Sequence, residues 1–110
     1  AMDEALLKLS VASVEKNMDN IEFSTDEFAR EMNMSRSNLH LKLKAITGES
    51  TIDFIRKIRF NEAAKLLKDG RYTIAEVSTM VGFNTPSYFA TSFKKYFGCL
   101  PTEYIKKAKG

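Results

Sequence analysis

The sequence says the same thing twice, and that duplication constrains the fold more than any local motif. From Phe23 it reads FSTDEFAREMNMSRSNLHLKLKAITGESTIDFI, and from Tyr72 it reads YTIAEVSTMVGFNTPSYFATSFKKYFGCLPTEYI. An offset of 49 pairs Glu27 with Glu76 and Phe28 with Val77. One residue is then added in the turn, and at an offset of 50 Leu39 meets Phe89, Leu43 meets Phe93, Gly48 meets Gly98 and Ile55 meets Ile105. Each copy reads as a short helix, a tight turn and a second helix. A repeat of this length outranks local patterns in deciding the architecture. Two helix-turn-helix units in so short a chain point to nucleic acid as the partner.

The charge is distributed to match. The net charge of +3 is mild, but residues 1–34 carry three basic side chains (Lys8, Lys16, Arg30) against eight acidic ones. The rest of the chain carries fourteen basic against six acidic, a one-sided field of the kind a polyanion feels. A hydrophobic content of 44% is that of a globular chain, and 110 residues suffice for one domain with a modest core. No apolar run approaches the length of a membrane span, and nothing reads as a secretory leader, so a cytoplasmic location is expected, either free or as the cytoplasmic end of a membrane-anchored sensor, with no membrane contact by this domain. The lone Cys99 rules out an internal disulfide.

Capping residues mark seven helices. The first, about Asp3 to Met18, has Leu7, Val11, Val14 and Met18 at helical spacing. Ser24-Thr25-Asp26-Glu27 and Thr73-Ile74-Ala75-Glu76 are both S/T-x-x-E capping boxes at the same point of each copy, opening helices to about Met32 and Val81. Asn33 and Gly82 follow, residue types that tolerate the left-handed backbone of a tight interhelical turn. Ser35 caps a helix through Ala45, and Thr85 with Pro86 caps one through Phe97. Gly48 and Gly98 close them. Between the copies a long helix, Thr51 to Lys68, uses Ile52, Ile55, Ile58, Ala63, Leu66 and Leu67 to pack on both sides. A final helix opens at Pro101 and runs into Lys106, Lys107 and Lys109. No segment alternates with period two, so the fold class is all-α: two helix-turn-helix subdomains joined by a linking helix. The expected organisation is one domain over 1–110, with a first part at 3–50, the linker at 51–69 and a second part at 70–108.

The second helix of each copy divides into two faces. Leu39, Leu43 and Ile46 recur at core spacing, leaving Ser37, His40, Leu41 and Lys44 outside with Arg36 and Lys42 on the flanks. Phe89, Phe93 and Phe97 go inward in the other copy, leaving Ser87, Tyr88, Thr91, Lys94 and Lys95. Neither helix contains an acidic residue. A helix lying in a major groove between phosphates needs that character, because its side chains must donate hydrogen bonds or touch thymine methyls. The plainer alternative is a solvated face that happens to lack carboxylates. Leu41, opposite the core, is either a stray exposed residue or a contact that could meet a thymine methyl but not read a guanine.

Other chemistries find no support. One histidine and one cysteine cannot supply the roughly four ligands of a zinc site. Cys99 has no partner base, and neither H-E-x-x-H, G-x-S-x-G nor a phosphate-cradling glycine loop occurs. No metal, cofactor, small-molecule ligand or enzymatic activity is therefore expected. A helical protein-interaction module, docking through its acidic N-terminal part, remains the rival reading.

The order of elements and the closing stretch GFNTPSYFATSFKKYFGCLPTEY resemble the DNA-binding domain of the AraC/XylS transcription regulators. Gly82, Phe83, Tyr88, Phe89, Phe93, Lys94, Phe97, Gly98, Pro101 and Tyr104 carry the resemblance, which covers essentially the whole chain. MSRSNLHLKLKAITGESTIDFIRKIR is similar to the version at the C-terminus of Bacteroides-type hybrid two-component regulators. The resemblance implies double-stranded operator DNA as partner, with a recognition helix in each of two successive major grooves. In the full-length protein it implies RNA polymerase and a receiver domain as further partners. Base-facing roles fall on Ser37, His40, Leu41 and Lys44, and on Ser87, Tyr88 and Thr91; Arg36, Thr85, Lys94 and Lys95 complete the DNA-binding set. Relatives often place arginine where Leu41 and Thr91 stand, so a bidentate guanine contact is missing from both helices. More of the recognition then falls to phosphates and DNA shape.

Overall fold

The computed structural model describes residues 2–109. Among them the chain forms seven helices and no strand: α1 (Met2–Lys16), α2 (Thr25–Glu31), α3 (Arg36–Thr47), α4 (Thr51–Asp69), α5 (Ile74–Met80), α6 (Pro86–Phe97) and α7 (Pro101–Lys109). They gather into two compact units. The first comprises Ala1–Met18 and Glu22–Ile58, the second Asp19–Ile21 and Arg59–Gly110. The boundary falls within α4, whose first residues belong to one unit and whose remainder belongs to the other.

In the first unit Val14, Phe28, Leu39 and Leu43 are fully buried, with Phe23, Phe54 and Ile55 beside them. The Phe28 and Phe54 rings stack with centroids 6.0 Å apart. Burial of each such side chain contributes about 1.5–3 kcal/mol, which outweighs the weak intrinsic helix preference of a segment as short as α2. The Ser13 hydroxyl donates to Glu31 Oε1 at 2.7 Å and ties α1 to α2. That bond, with help from Asn17 and Lys16, holds the Glu31 carboxyl below its ordinary pKa against the opposing effect of burial. α1 ends at Lys16 rather than Met18, because Asn17 and Met18 close the helix with tighter bonds to Val14 and Glu15. α3 runs on to Thr47, whose hydroxyl donates to the Leu43 carbonyl at 2.7 Å.

The second unit is built around Phe60, whose ring lies 4.8 Å from Tyr96, 5.4 Å from Phe83 and 6.2 Å from Phe93. Phe89 and Phe93 are fully buried, and Cys99 is buried as a free thiol. Arg59 is also buried. Its Nη1 donates to the Gly82 carbonyl at 3.2 Å and its Nη2 to the Asn20 carbonyl at 2.9 Å, while Nε has no partner among the described residues. Burial pushes its pKa below the ordinary arginine value.

The duplication is a duplication of hydrogen bonds as well as of sequence. Met32, Asn33 and Met34 bond to Phe28, Arg30 and Ala29, and Val81, Gly82 and Phe83 repeat the pattern to Val77, Thr79 and Ser78. Asn33 (φ 56°) and Gly82 (φ 82°) supply the left-handed residue in each turn. The extra residue of the second copy is Asn84, between this turn and the cap Thr85. The capping boxes differ. In the second copy Thr73 Oγ1 accepts from the Glu76 N–H and the Glu76 carboxylate accepts from the Thr73 N–H. In the first, Ser24 Oγ accepts from the Glu27 N–H, but the Glu27 carboxylate turns to Arg30, a cation one helical turn along that the second copy lacks.

Candidate nucleic-acid interface

α3 is held as a rigid rod. Ser35 Oγ accepts from the Asn38 N–H at 3.1 Å at one end, and left-handed Gly48 sends its N–H to the Lys44 carbonyl at the other. With Leu39 and Leu43 fully buried, Arg36, Ser37, His40, Leu41 and Lys44 are exposed. Arg36 Nη1 lies 3.1 Å from Asp26 Oδ1. Both partners are well exposed, so the pair is worth at most about 1 kcal/mol and a phosphate can compete for the guanidinium.

Below this face is an open hollow of about 510 Å³. Thr25 of α2 and Arg36, Ser37, His40 and Leu41 of α3 form part of its lining. Ser50, Thr51 and Ile52, at the start of α4, form the rest. Among the described residues, no acidic side chain lines it. Two of its residues, Leu41 at 66% and Ile52 at 53% exposure, are large aliphatic side chains facing solvent. Ile52 thus departs from the core role its spacing suggested; Phe54 and Phe60 take that role on α4. The Thr51 hydroxyl is buried without a hydrogen-bond partner among the described residues.

α6 repeats the arrangement in the second unit. Thr85 Oγ1 accepts from the Tyr88 N–H at 3.1 Å, Pro86 takes the first turn, and Gly98 ends the helix. Phe89 and Phe93 are fully buried; Thr85, Ser87, Tyr88, Thr91, Lys94 and Lys95 are exposed. Two of these are partly committed. The Thr91 hydroxyl donates to the Ser87 carbonyl at 3.0 Å, which leaves its methyl and its acceptor lone pairs for a partner. The Tyr88 ring rests against Phe83 at 5.5 Å. Ile46 and Phe97, assigned inward, are half-buried.

Sequence spacing therefore places the outer residues of each helix on one solvent-facing surface within its own unit. It misses Thr25, Ser50, Thr51 and Ile52, which reach the first surface from other elements. The signal available for Ser50 was its role as the α4 cap, where its Oγ accepts from the Asp53 N–H at 3.2 Å.

A helix-turn-helix domain model matches residues 28–107, most of the chain and both copies of the repeat. The chain belongs to the AraC/XylS helix-turn-helix family. This is a family of DNA-binding transcription regulators. The AraC-type domain is 39% identical over 104 residues to Histidine kinase P4 of Formosa agariphila, covering 94% of this chain but 8% of that protein. Three curated regulators it also matches, the Msm operon regulatory protein of Streptococcus mutans, RhaR of Mannheimia succiniciproducens and SirC of Salmonella typhimurium, are longer too, and the chain spans 30% or less of each. Among solved structures it resembles the C-terminal domain of AraT, a response regulator from Geobacillus stearothermophilus. The TM-score is 0.85 at 29% identity, covering 93% of this chain and 84% of that one. An AraC-type transcriptional regulator from Chromobacterium violaceum shares the fold at a TM-score of 0.84 and 24% identity, covering 96% and 93% of the two chains. No helix among the described residues is long and apolar enough to cross a membrane.

Proposed function

We propose that this AraC-type domain binds double-stranded DNA sequence-specifically, as the cytoplasmic output end of a bacterial two-component regulator. The observation that carries the reading is the matched pair of α3 and α6. Each is a capped twelve-residue helix with a buried inner face and an outer face free of carboxylates. Ser37, His40, Leu41 and Lys44 on α3, and Ser87, Tyr88 and Thr91 on α6, face base edges. Arg36, Thr85, Lys94 and Lys95 hold phosphates. Similarity to a histidine kinase and to a response-regulator C-terminal domain supports placing the domain behind a receiver, with RNA polymerase as the other protein partner. On this reading residues 1–110 act as one DNA-binding domain despite their two units.

Two recognition helices on one side of a duplex engage grooves about one turn apart, roughly 34 Å or 10 base pairs. α4 has 19 residues, and at about 1.5 Å per residue it is long enough to link such a pair with its side chains. Fluorescence anisotropy against duplex DNA at two salt concentrations tests the electrostatics. Log affinity should fall by about 0.9 per contacted phosphate per log unit of salt, and replacing Lys94 and Lys95 should flatten that slope while weakening all sequences alike. Hydroxyl-radical footprinting tests the geometry: two protected patches one turn apart are expected, and a single patch refutes the bipartite arrangement. Salt-independent binding, or none to any duplex at low salt, would favour the rival protein-interaction module.

A further inference from the structure

Two exposed aliphatic side chains of the first unit stand together beside the carboxylate-free outer face of α3. Leu41 and Ile52 come from different helices, line the same hollow, and are both more than half exposed. Thr51 lines the hollow beside them, its hydroxyl buried and without a partner among the described residues. Its rim carries Arg36, Ser37 and His40, which can donate to phosphates and base edges; the one carboxylate described against them, Asp26, is paired with Arg36 on an exposed surface where a phosphate can displace it.

From this we infer that the Leu41–Ile52 edge of the hollow receives the C5 methyl group of thymine, and that Ile52 at the start of α4 is a specificity-determining residue alongside Leu41. The inference rests on the DNA-binding reading and deepens it. The major-groove edges of the bases present hydrogen-bond donors and acceptors everywhere except at the thymine methyl, the one aliphatic group there. On the base edges, two aliphatic side chains have no other complement. Ser37, His40 and Leu41 lie within one turn of α3, so the polar pair can engage the backbone or a neighbouring base while Leu41 and Ile52 enclose the methyl. A C5 methyl on cytosine presents the same chemistry and would occupy the same edge.

The test begins by selecting preferred duplexes from a random library with this chain, then replacing each thymine singly with deoxyuridine, which lacks only the methyl. Burying one methyl-sized group corresponds to about four-fold in affinity. At one or two thymines the uracil substitution should therefore weaken binding about four-fold, and the penalty should vanish in Leu41→Ala and shrink in Ile52→Ala. Both residues are exposed, so circular dichroism should show each variant folded. Specific binding that tolerates uracil at every position overturns the methyl contact and leaves the DNA-binding reading standing. So does a uracil penalty that persists unchanged in both variants. Failure to enrich any duplex overturns the DNA-binding reading, and this inference with it.

Discussion

Arg59 gives the sharpest test of how the second unit is held. It is ionised and buried, and its guanidinium bridges the carbonyls of Gly82 and Asn20. Arg59→Met keeps most of the side-chain volume and removes the cost of burying charge, yet strands both acceptors. The Asn20 residue is exposed, so water can replace that bond cheaply; Gly82 is buried, and its carbonyl loses a charged donor. An unsatisfied buried acceptor costs about 1–3 kcal/mol, and the solvent-facing bond adds about 0.5–1 more, so we expect a net loss of roughly 2–3 kcal/mol. For a domain of this size that lowers Tm by about 10–20 °C. Arg59→Lys should do no better. An ammonium is a compact, strongly hydrated point charge that is costlier to bury, and it lacks the planar fork that reaches two carbonyls at once. The expected order of stability is wild type, then Met, then Lys, read from urea and thermal unfolding by circular dichroism. A lysine variant as stable as wild type would refute the argument, since charge alone would then suffice. A methionine variant more stable than wild type would show that the desolvation cost outweighs both bonds.

Three further substitutions have outcomes set by the geometry. The Glu31 carboxyl titrates below its ordinary value chiefly because Ser13 donates to it, so its contribution is complete above the unfolded-state pKa of about 4.5 and is lost as pH falls through the lowered folded-state value. Glu31→Gln should therefore be less stable than wild type at neutral pH and lose less on acidification, and parallel urea midpoints between pH 7 and pH 3 would contradict this. Phe93→Ala should cost about 3–5 kcal/mol because it empties a fully buried ring site, whereas His40→Ala should leave Tm within about a degree yet change which duplexes are preferred. A large drop in the Tm of the histidine variant would mean that its face is not free.

Much of the fold was legible because the caps are local. Ser24, Ser35, Thr73 and Thr85 each stand just before a helix and accept from the amide three residues on, and Gly48 and Gly98 end theirs in the left-handed conformation. The division of α3 and α6 into inner and outer faces was legible for the same reason, since helical spacing fixes direction. What escaped depends on neighbours the sequence does not display. Ile52 has core spacing with Ile55, but in the first turn of α4 it stands beside an open hollow with nothing to cover it. Arg59 is counted among surface charges until two carbonyls are seen to receive it. Glu27 fits a capping box, and only the competing Arg30 diverts it.

The two helix-turn-helix frames coincide in their backbone bonds, and their outer faces share Ser37 with Ser87 and Lys44 with Lys94 but differ between these positions. Caps at Ser35 and Thr85 each accept from an amide at 3.1 Å, and the terminal glycine amides reach Lys44 and Lys94 at 2.9 and 2.8 Å. His40 and Leu41 correspond in position to Ala90 and Thr91, and neither pair has a role in its own unit's buried core. The frame thus behaves as a socket whose lettering is interchangeable. Mutation can rewrite one outer face while its fold and the other face are untouched, so the two halves of a binding site are free to drift at different rates. A lineage can hold one half of its operators constant and retarget the other by single substitutions, an economy that a symmetric dimer, obliged to change both halves together, does not have.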